Sequence, residues 1–460
     1  MKKTITLFLV LLSLQNYAQC WQTVSSGTDH TLALRTDGTL WAWGDNGNGE
    51  LGDGTTVGKN QPVQIGTAND WQKISAGQNF SLAIKNNGTL WAWGYNIYSQ
   101  LGNGSISTAQ PTPIQIGTAT DWKNISAAPG KTGGHSLAIK TNGTLWAWGN
   151  NFYGQLGNGS LSNRNQPVQI GSDTNWLAIS AGSAHSTAIK ANGTLWTWGY
   201  NAFRQLGDGT NVDKTVPTQI GTATNWKSID CGYIHNLGIK TDGTLWAWGS
   251  GLDGKLGTGN NSTSAVPIQI GTDNNWASAM AGTDHSLALK TNGTLWSWGK
   301  NENGELGLGT NSTTDIMVPT QASTNADKIF ITAGQDYSQI MNSDGFLYAT
   351  GLNAAGQLGD GTNANKSTLT AVTCTALSNE EFQAANSIKV FPNPSKDVLK
   401  FTSGEEITKV ILYNLLGQEM ASKYVNDSEG MLDISQLNRG TYILRVESAN
   451  SIKTVKIVKE

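Results

Sequence analysis

Imidazole can carry protons or ligate a metal near neutral pH, so the five histidines, His30, His135, His185, His235 and His285, are the first candidates for chemistry in this 460-residue chain. Either use needs several such groups converging on one point. Each histidine instead occupies the same place in a recurring segment, and two further copies carry Phe80 and Tyr337 there. A metal shell would lose a ligand at those copies, whereas a packed position accepts them. The expectation is structural: stacked rings, each with one hydrogen bond to backbone.

Three cysteines allow at most one internal bridge. Cys231 stands where other copies have Ala76, Ala181, Ala281 or Ala333, so it reads as a small buried side chain and the leftover thiol. Asp45-Asn-Gly-Asn-Gly-Glu50 and Asn301-Glu-Asn-Gly-Glu305 resemble a calcium loop but lack its terminal carboxylate. Turn chemistry accounts for both. The sequence contains no nucleophile elbow, no His-Glu-x-x-His pair and no phosphate loop. No catalytic residue, metal or cofactor is assigned. A carboxylate pair for glycoside hydrolysis has no spacing rule by which to find it. Charged residues are 14% of the chain and the net charge is -3, which leaves no basic field for nucleic acid.

The elements that must position these residues are repeats. A Trp-x-Trp-Gly motif begins at Trp41, Trp91, Trp146, Trp196, Trp246 and Trp296, spaced by 50 residues except for one interval of 55. A weaker seventh copy carries Tyr348-Ala-Thr-Gly351. Alternating apolar stretches such as Thr144-Leu-Trp-Ala-Trp148 read as strands. Asp-Gly or Asn-Gly pairs from Asp37-Gly38 to Asp344-Gly345 separate two of them each time, as hairpins whose two central residues both need positive φ. One repeat is then four short strands: Trp-x-x-Ile-Ser, His-Ser-Leu-Ala-Ile, Thr-Leu-Trp-Ala-Trp and Pro-x-Gln-Ile. Such a sheet cannot bury both faces alone, but sheets stacked around an axis bury one another. All 18 tryptophans fall in the repeats and are expected in the core.

The pattern Gly-x-x-His-Ser-x-Ala-Ile, Gly-x-Leu-Trp-x-Trp-Gly-x-Asn and Gly-Gln-Leu-Gly resembles the regulator of chromosome condensation repeat family over roughly residues 21 to 374. That resemblance implies a seven-bladed β-propeller used as a binding scaffold. The nucleotide-exchange role of the family's eukaryotic founder does not suit an exported, acidic chain. The two ends of a closed ring must meet, so Cys20, just before the first repeat, and Cys374, at the end of the last, are expected to form a disulfide. The alternative is two unpaired thiols.

In a repeat protein the informative positions are those where exposed loops disagree. Strand parity puts the loop before the His strand and the loop after Trp-x-Trp-Gly on one side, opposite the hairpins and linkers. The first side diverges most. Copy three inserts residues within Ala128-Pro-Gly-Lys-Thr-Gly-Gly134, including Lys131. The loops after the tryptophan pairs carry Tyr95, Ile97 and Tyr98 in copy two, Phe152 and Tyr153 in copy three, and Tyr200, Phe203 and Arg204 in copy four. Aromatics with an arginine have the composition of interface anchors, so this face is the expected partner site. The competing reading tucks these rings under their own loops.

At the N-terminus, Lys2, Lys3 and the apolar run from Ile5 to Leu14 read as a signal peptide over residues 1–18, ending near Ala18. No later apolar stretch is long enough to span a membrane. The repeats occupy 19–375, a small-residue linker 376–387, and a second domain of seven short strands, expected as a small β-sandwich, 388–460. Val390-Phe-Pro-Asn-Pro394, with Pro392 and Asn393, then Ile411-Leu-Tyr-Asn-Leu-Leu-Gly417 and Leu437-Asn-Arg-Gly-Thr-Tyr442, with Gly440, resemble the type A sorting domain of the type IX secretion system. This resemblance implies handling by that machinery, passage through the periplasm and outer membrane, and a secreted or cell-surface destination. The fold expected is thus all-β, a seven-bladed propeller followed by a sandwich. The expected function is an exported, non-enzymatic scaffold for an extracellular protein partner. A glycan-binding or glycan-cleaving propeller and a surface adhesin are the alternatives.

Overall fold

Each Asp-Gly or Asn-Gly pair forms its hairpin, with one difference from expectation. Only the glycine takes positive φ (81° at Gly38, 76° at Gly88), and Arg35 N–H donates to Thr39 O at 3.0 Å while Gly38 N–H donates to Arg35 O at 3.0 Å. This is a three-residue loop closing on a left-handed glycine rather than a two-residue turn. The side chain before the glycine fixes it: Asn87 Oδ1 accepts from the Thr89 N–H at 3.1 Å and hydroxyl at 2.7 Å.

The structure, a computed structural model, describes residues 20–129, 134–374, 389–392, 394–414, 418–448 and 452–460. The expected signal, the linker and Lys131 lie outside them. Two compact units are present, one ending at Cys374 and one beginning at Thr375.

In the first unit the described residues form seven four-stranded antiparallel sheets, each from one contiguous repeat. The first comprises β1 (Trp21–Ser26), β2 (His30–Arg35), β3 (Leu40–Gly44) and β4 (Lys59–Gln64), and the last spans 328–372. The core lies between blades. Leu82, Ile84, Leu90 and Leu101 of blade two pack against Trp122, Ala138 and Trp148 of blade three. Blade seven closes on blade one in the same way, through Tyr337, Leu347 and Leu358 against Trp21 and Trp43.

One carbonyl organises most seams. The residue before Leu-Gly presents its main-chain oxygen to the following blade, where it accepts from an indole N–H: Glu50 from Trp93 and Gln100 from Trp148, both at 2.8 Å. The next glycine lies under that indole. A Cβ on Gly102, whose φ is 76°, would stand 2.7 Å from Trp148 Nε1. The tryptophans therefore divide into classes rather than forming one core population. The second of each pair is fully buried, whereas the first is half-buried. Lys190 Nζ sits 3.8 Å from the ring centre of half-buried Trp196 and 4.6 Å from that of Trp176, and pairs with Asp173 at 2.7 Å.

The second unit is one curled five-stranded sheet around Leu399, Phe401, Val410, Leu412, Leu444 and Val446. Four of the short strands expected from sequence are halves of two long ones, Val398–Asn414 and Glu419–Asp433, which run through both parts of the curl. Pro392 and Pro394 are exposed, and Gly440 opens the strand Gly440–Ser448. Buried Tyr442 donates its hydroxyl to Asn438 O at 2.8 Å. Asn393 and Gly417 lie outside the described residues. No helix of the described residues is long and apolar enough to cross a membrane.

Candidate partner-binding face

Two loops of each repeat are laced together on one rim. The N–H following Trp-x-Trp-Gly donates to the carbonyl just before the histidine position: Tyr95 to Asn79 at 2.8 Å, Tyr200 to Ala184 at 2.9 Å, Lys300 to Asp284 at 2.9 Å. Hairpins and linkers meet on the other rim, as in Asn86 N–H to Asp70 O at 2.7 Å. The loops that diverge in sequence thus share a rim.

Their rings form a strip. Tyr95 packs on Tyr98 (centroids 6.4 Å apart), and Tyr98 edges onto Phe152 of the next blade at 6.1 Å. Tyr153 lies 4.5 Å from Tyr200 of blade four, which meets Phe203 at 6.1 Å. Phe152 and Tyr153 are chain neighbours, so the strip continues across blades two to four. Tyr95, Tyr98 and Tyr200 are half-buried beneath it, while Phe152 is 57%, Phe203 41% and Ile97 40% exposed. Ring-on-ring packing leaves few rotamers open, which lowers the ordering cost of binding. Some rings are tucked under their loops, and others are presented to solvent.

Arg204 is exposed beside Phe203. Sequence reasoning missed Tyr233, in the loop before His235 of blade five. Burial, then Tyr153, Asp213 and Tyr233, raise the Tyr200 hydroxyl pKa. An aromatic where other copies have Thr28, Gln78 or Ser183 was the available signal.

The histidines belong to the seams, and their bonds differ from expectation. His30 Nε2 pairs with Ser81 Oγ at 3.0 Å, His135 with Ser186 at 2.8 Å, His185 with Asn236 Oδ1 at 2.8 Å, His235 with Ser286 at 3.0 Å and His285 with Ser338 at 2.9 Å. Each partner is a side chain of the following blade rather than backbone. Burial lowers their pKa, to about 3 at His30 and His135 and about 4 at His185 and His285. The glycine of Gly-x-x-His makes room: a Cβ on Gly182 would stand 2.2 Å from His185 Cε1.

Cys20 and Cys374 are joined, with Cα atoms 6.3 Å apart. Cys231 is buried, its thiol near Thr187 Oγ1 at 3.0 Å, and burial raises its pKa to about 12. The calcium-like segment is a turn. Asn46 Nδ2 binds Asp53 Oδ1 and Thr55 O, both at 3.1 Å, and buried Glu50 accepts from Asn48 N–H at 2.8 Å.

Residues 10–280 match the family described as RCC1-like domain, residues 280–305 the regulator of chromosome condensation (RCC1) repeat, and residues 389–460 the secretion system C-terminal sorting domain. The mitochondrial RCC1 domain-containing protein RUG3 of Arabidopsis thaliana is 29% identical over 147 residues, 32% of this chain. The chain covers only 21% of that relative's length. Among solved structures, human WBSCR16 superposes with a TM-score of 0.65 at 21% identity, covering 73% of this chain and 94% of that one. Prp20p of Saccharomyces cerevisiae, reported with its binding to Gsp1p and histones, gives 0.60 at 28% identity, covering 69% and 81%.

Proposed function

Because the chain belongs to the RCC1-like domain family, we propose that it is an exported, non-enzymatic scaffold that captures a protein partner on the rim of blades two to four. The continuous aromatic strip from Tyr95 to Phe203 carries this reading. It is preorganised, partly exposed and confined to one sector, whereas blades five and six offer Leu252 and Glu302 at comparable places. Interfaces draw most of their energy from such anchors. The match of residues 389–460 to a secretion sorting domain supports delivery by the type IX system and a secreted or cell-surface location. Removal of that unit after export is part of the proposal.

The test replaces Tyr98, Phe152, Tyr153 and Phe203 together by Ala and compares quantitative capture from the native surroundings with that of the unaltered chain. Hairpin-rim replacements serve as control. Loss confined to the aromatic variant supports the proposal, and undiminished capture defeats it. Binding to a glycan array without protein capture would favour a lectin-like role instead.

A further inference from the structure

At the end of the loop after Trp-x-Trp-Gly, five blades hold a left-handed glycine. Gly49, Gly154, Gly254, Gly304 and Gly356 have φ of 78°, 78°, 70°, 86° and 80°. The reason is crowding by another blade: a Cβ would stand 2.5 Å from Pro111 Cα at Gly49 and 2.8 Å from Thr215 Cα at Gly154. Blades two and four place Ser99 (φ 66°) and Arg204 (φ 63°) there. Ser99 is buried, so packing accounts for it. Arg204 points outward, and among the described residues its guanidinium has no hydrogen bond, ion pair or ring contact.

A strained backbone that holds a side chain without a structural partner is a reason to look for a function. The arginine sits next in sequence to Phe203, at the end of the aromatic strip. Its planar fork is suited to a carboxylate, which it can bind through two parallel hydrogen bonds. On blades five and six the carboxylates of the corresponding loops already have cations: Lys255 pairs with Asp253 at 3.5 Å, and Lys300 with Glu302 at 3.0 Å. A negative group approaching the aromatic strip therefore meets its unpaired cation at Arg204.

We propose that Arg204 is a specificity residue of the partner face, binding a carboxylate of an acidic peptide segment whose adjoining apolar or aromatic side chain rests on Phe203 and Tyr200. This rests on the partner-face reading and adds the chemistry of what is recognised.

The probe is a phage-displayed library of random peptides, selected on the immobilised full chain, on Arg204→Gly, on Arg204→Lys and on the fourfold aromatic variant. Peptides selected on the unaltered chain should be enriched in Asp and Glu beside an aromatic or apolar residue, and their binding should weaken with salt. Arg204→Gly should lose the acidic enrichment at least tenfold while its thermal midpoint does not fall, and Arg204→Lys should keep part of it. No acidic enrichment on the unaltered chain, or enrichment that survives Arg204→Gly, overturns the proposal. If the fourfold variant loses all selected peptides while Arg204→Gly behaves as the unaltered chain, the face stands and the arginine assignment falls. If acidic enrichment depends on Arg204 but ignores the aromatic replacements, the face reading fails.

Discussion

The Tyr337 hydroxyl donates to the main-chain carbonyl of His30 at 2.6 Å, tying the seventh blade to the first. Here tyrosine replaces the repeat's histidine, and its longer reach finds backbone where a histidine finds a side chain. Gln357 O on the same seam accepts from Trp43 Nε1 at 3.0 Å and from Thr31 Oγ1 at 3.1 Å. No strand is exchanged between the first and last described blades, so closure depends on these bonds, the packed side chains and the bridge between Cys20 and Cys374.

A bridge closing a loop of this length restricts the unfolded chain strongly, by roughly 6 kcal/mol on the chain-entropy account. Cys20→Ser with Cys374→Ser should therefore lower the thermal midpoint, and reductant should then have no further effect. Tyr337→Phe, which leaves the His30 carbonyl with only the Gly27 N–H at 2.8 Å, should cost about 1 kcal/mol and combine with the loss of the bridge. Denaturant titration of the single and combined variants measures both.

The buried histidines predict acid lability. Their folded pKa values, about 3 to 4 for four of them, lie below the value of 6.5 that applies on unfolding. Between these limits the unfolded chain binds protons that the native histidines do not, so their contribution to stability falls as pH drops below about 6.5. Phe80 shows how a seam manages without imidazole, since Ser136 facing it keeps its bond to Gln100 O at 2.8 Å. His135→Phe should thus preserve the fold and flatten the pH slope between about 4 and 6.5, by up to about 3 kcal/mol in the integrated effect. An unchanged slope in urea titrations across that range would count against the linkage.

A third expectation concerns the cation held between indoles. Lys190→Met keeps the aliphatic packing but removes the charge from between Trp176 and Trp196, and should cost about 1–2 kcal/mol. Asp173 is half exposed, so Asp173→Asn should cost no more than about 0.5 kcal/mol. Urea midpoints of the two variants separate the ring contribution from the ion pair.

The ring was legible because its grammar is local. Asn-Gly turns, alternation and Trp-x-Trp-Gly each dictate a short element, and seven copies multiply the signal. The bonds of the histidines were not legible, because Ser81 and Ser186 belong to the following repeat and only three-dimensional packing sets that pairing. The strip from Tyr95 to Phe203 could be found as a set of departures on one rim, but which rings stack and which stand exposed depends on contacts between blades. In the second unit, sequence marked the ends of the strands around Phe401 and Ile407 but not their continuity. A bend inside one long strand leaves the same break in alternation as a turn between two.

Glu50 offers the cleanest separation of repeat logic from charge. Gln100, Gln155, Gln205 and Gln357 occupy its place in other blades, where the side-chain oxygen accepts from the N–H two residues earlier, as Glu50 also does. Burial raises the Glu50 carboxyl to about 7, and its Oε1 has no hydrogen-bond partner among the described residues. Between about pH 4.5 and 7 this carboxyl therefore holds a proton in the native chain that it has released in the unfolded one, and its contribution to stability falls as pH rises through that window, opposing that of the histidines. Glu50→Gln keeps the accepting oxygen and the volume, and removes the titration. Its neutral amide nitrogen is left unpaired, as at Gln100 and Gln155, which costs less than an unpaired buried charge. The variant should match the unaltered chain below about pH 4.5 and exceed it by on the order of 2 kcal/mol at pH 8. Equal stabilities at both pH values in paired denaturant titrations would mean that water reaches this carboxylate.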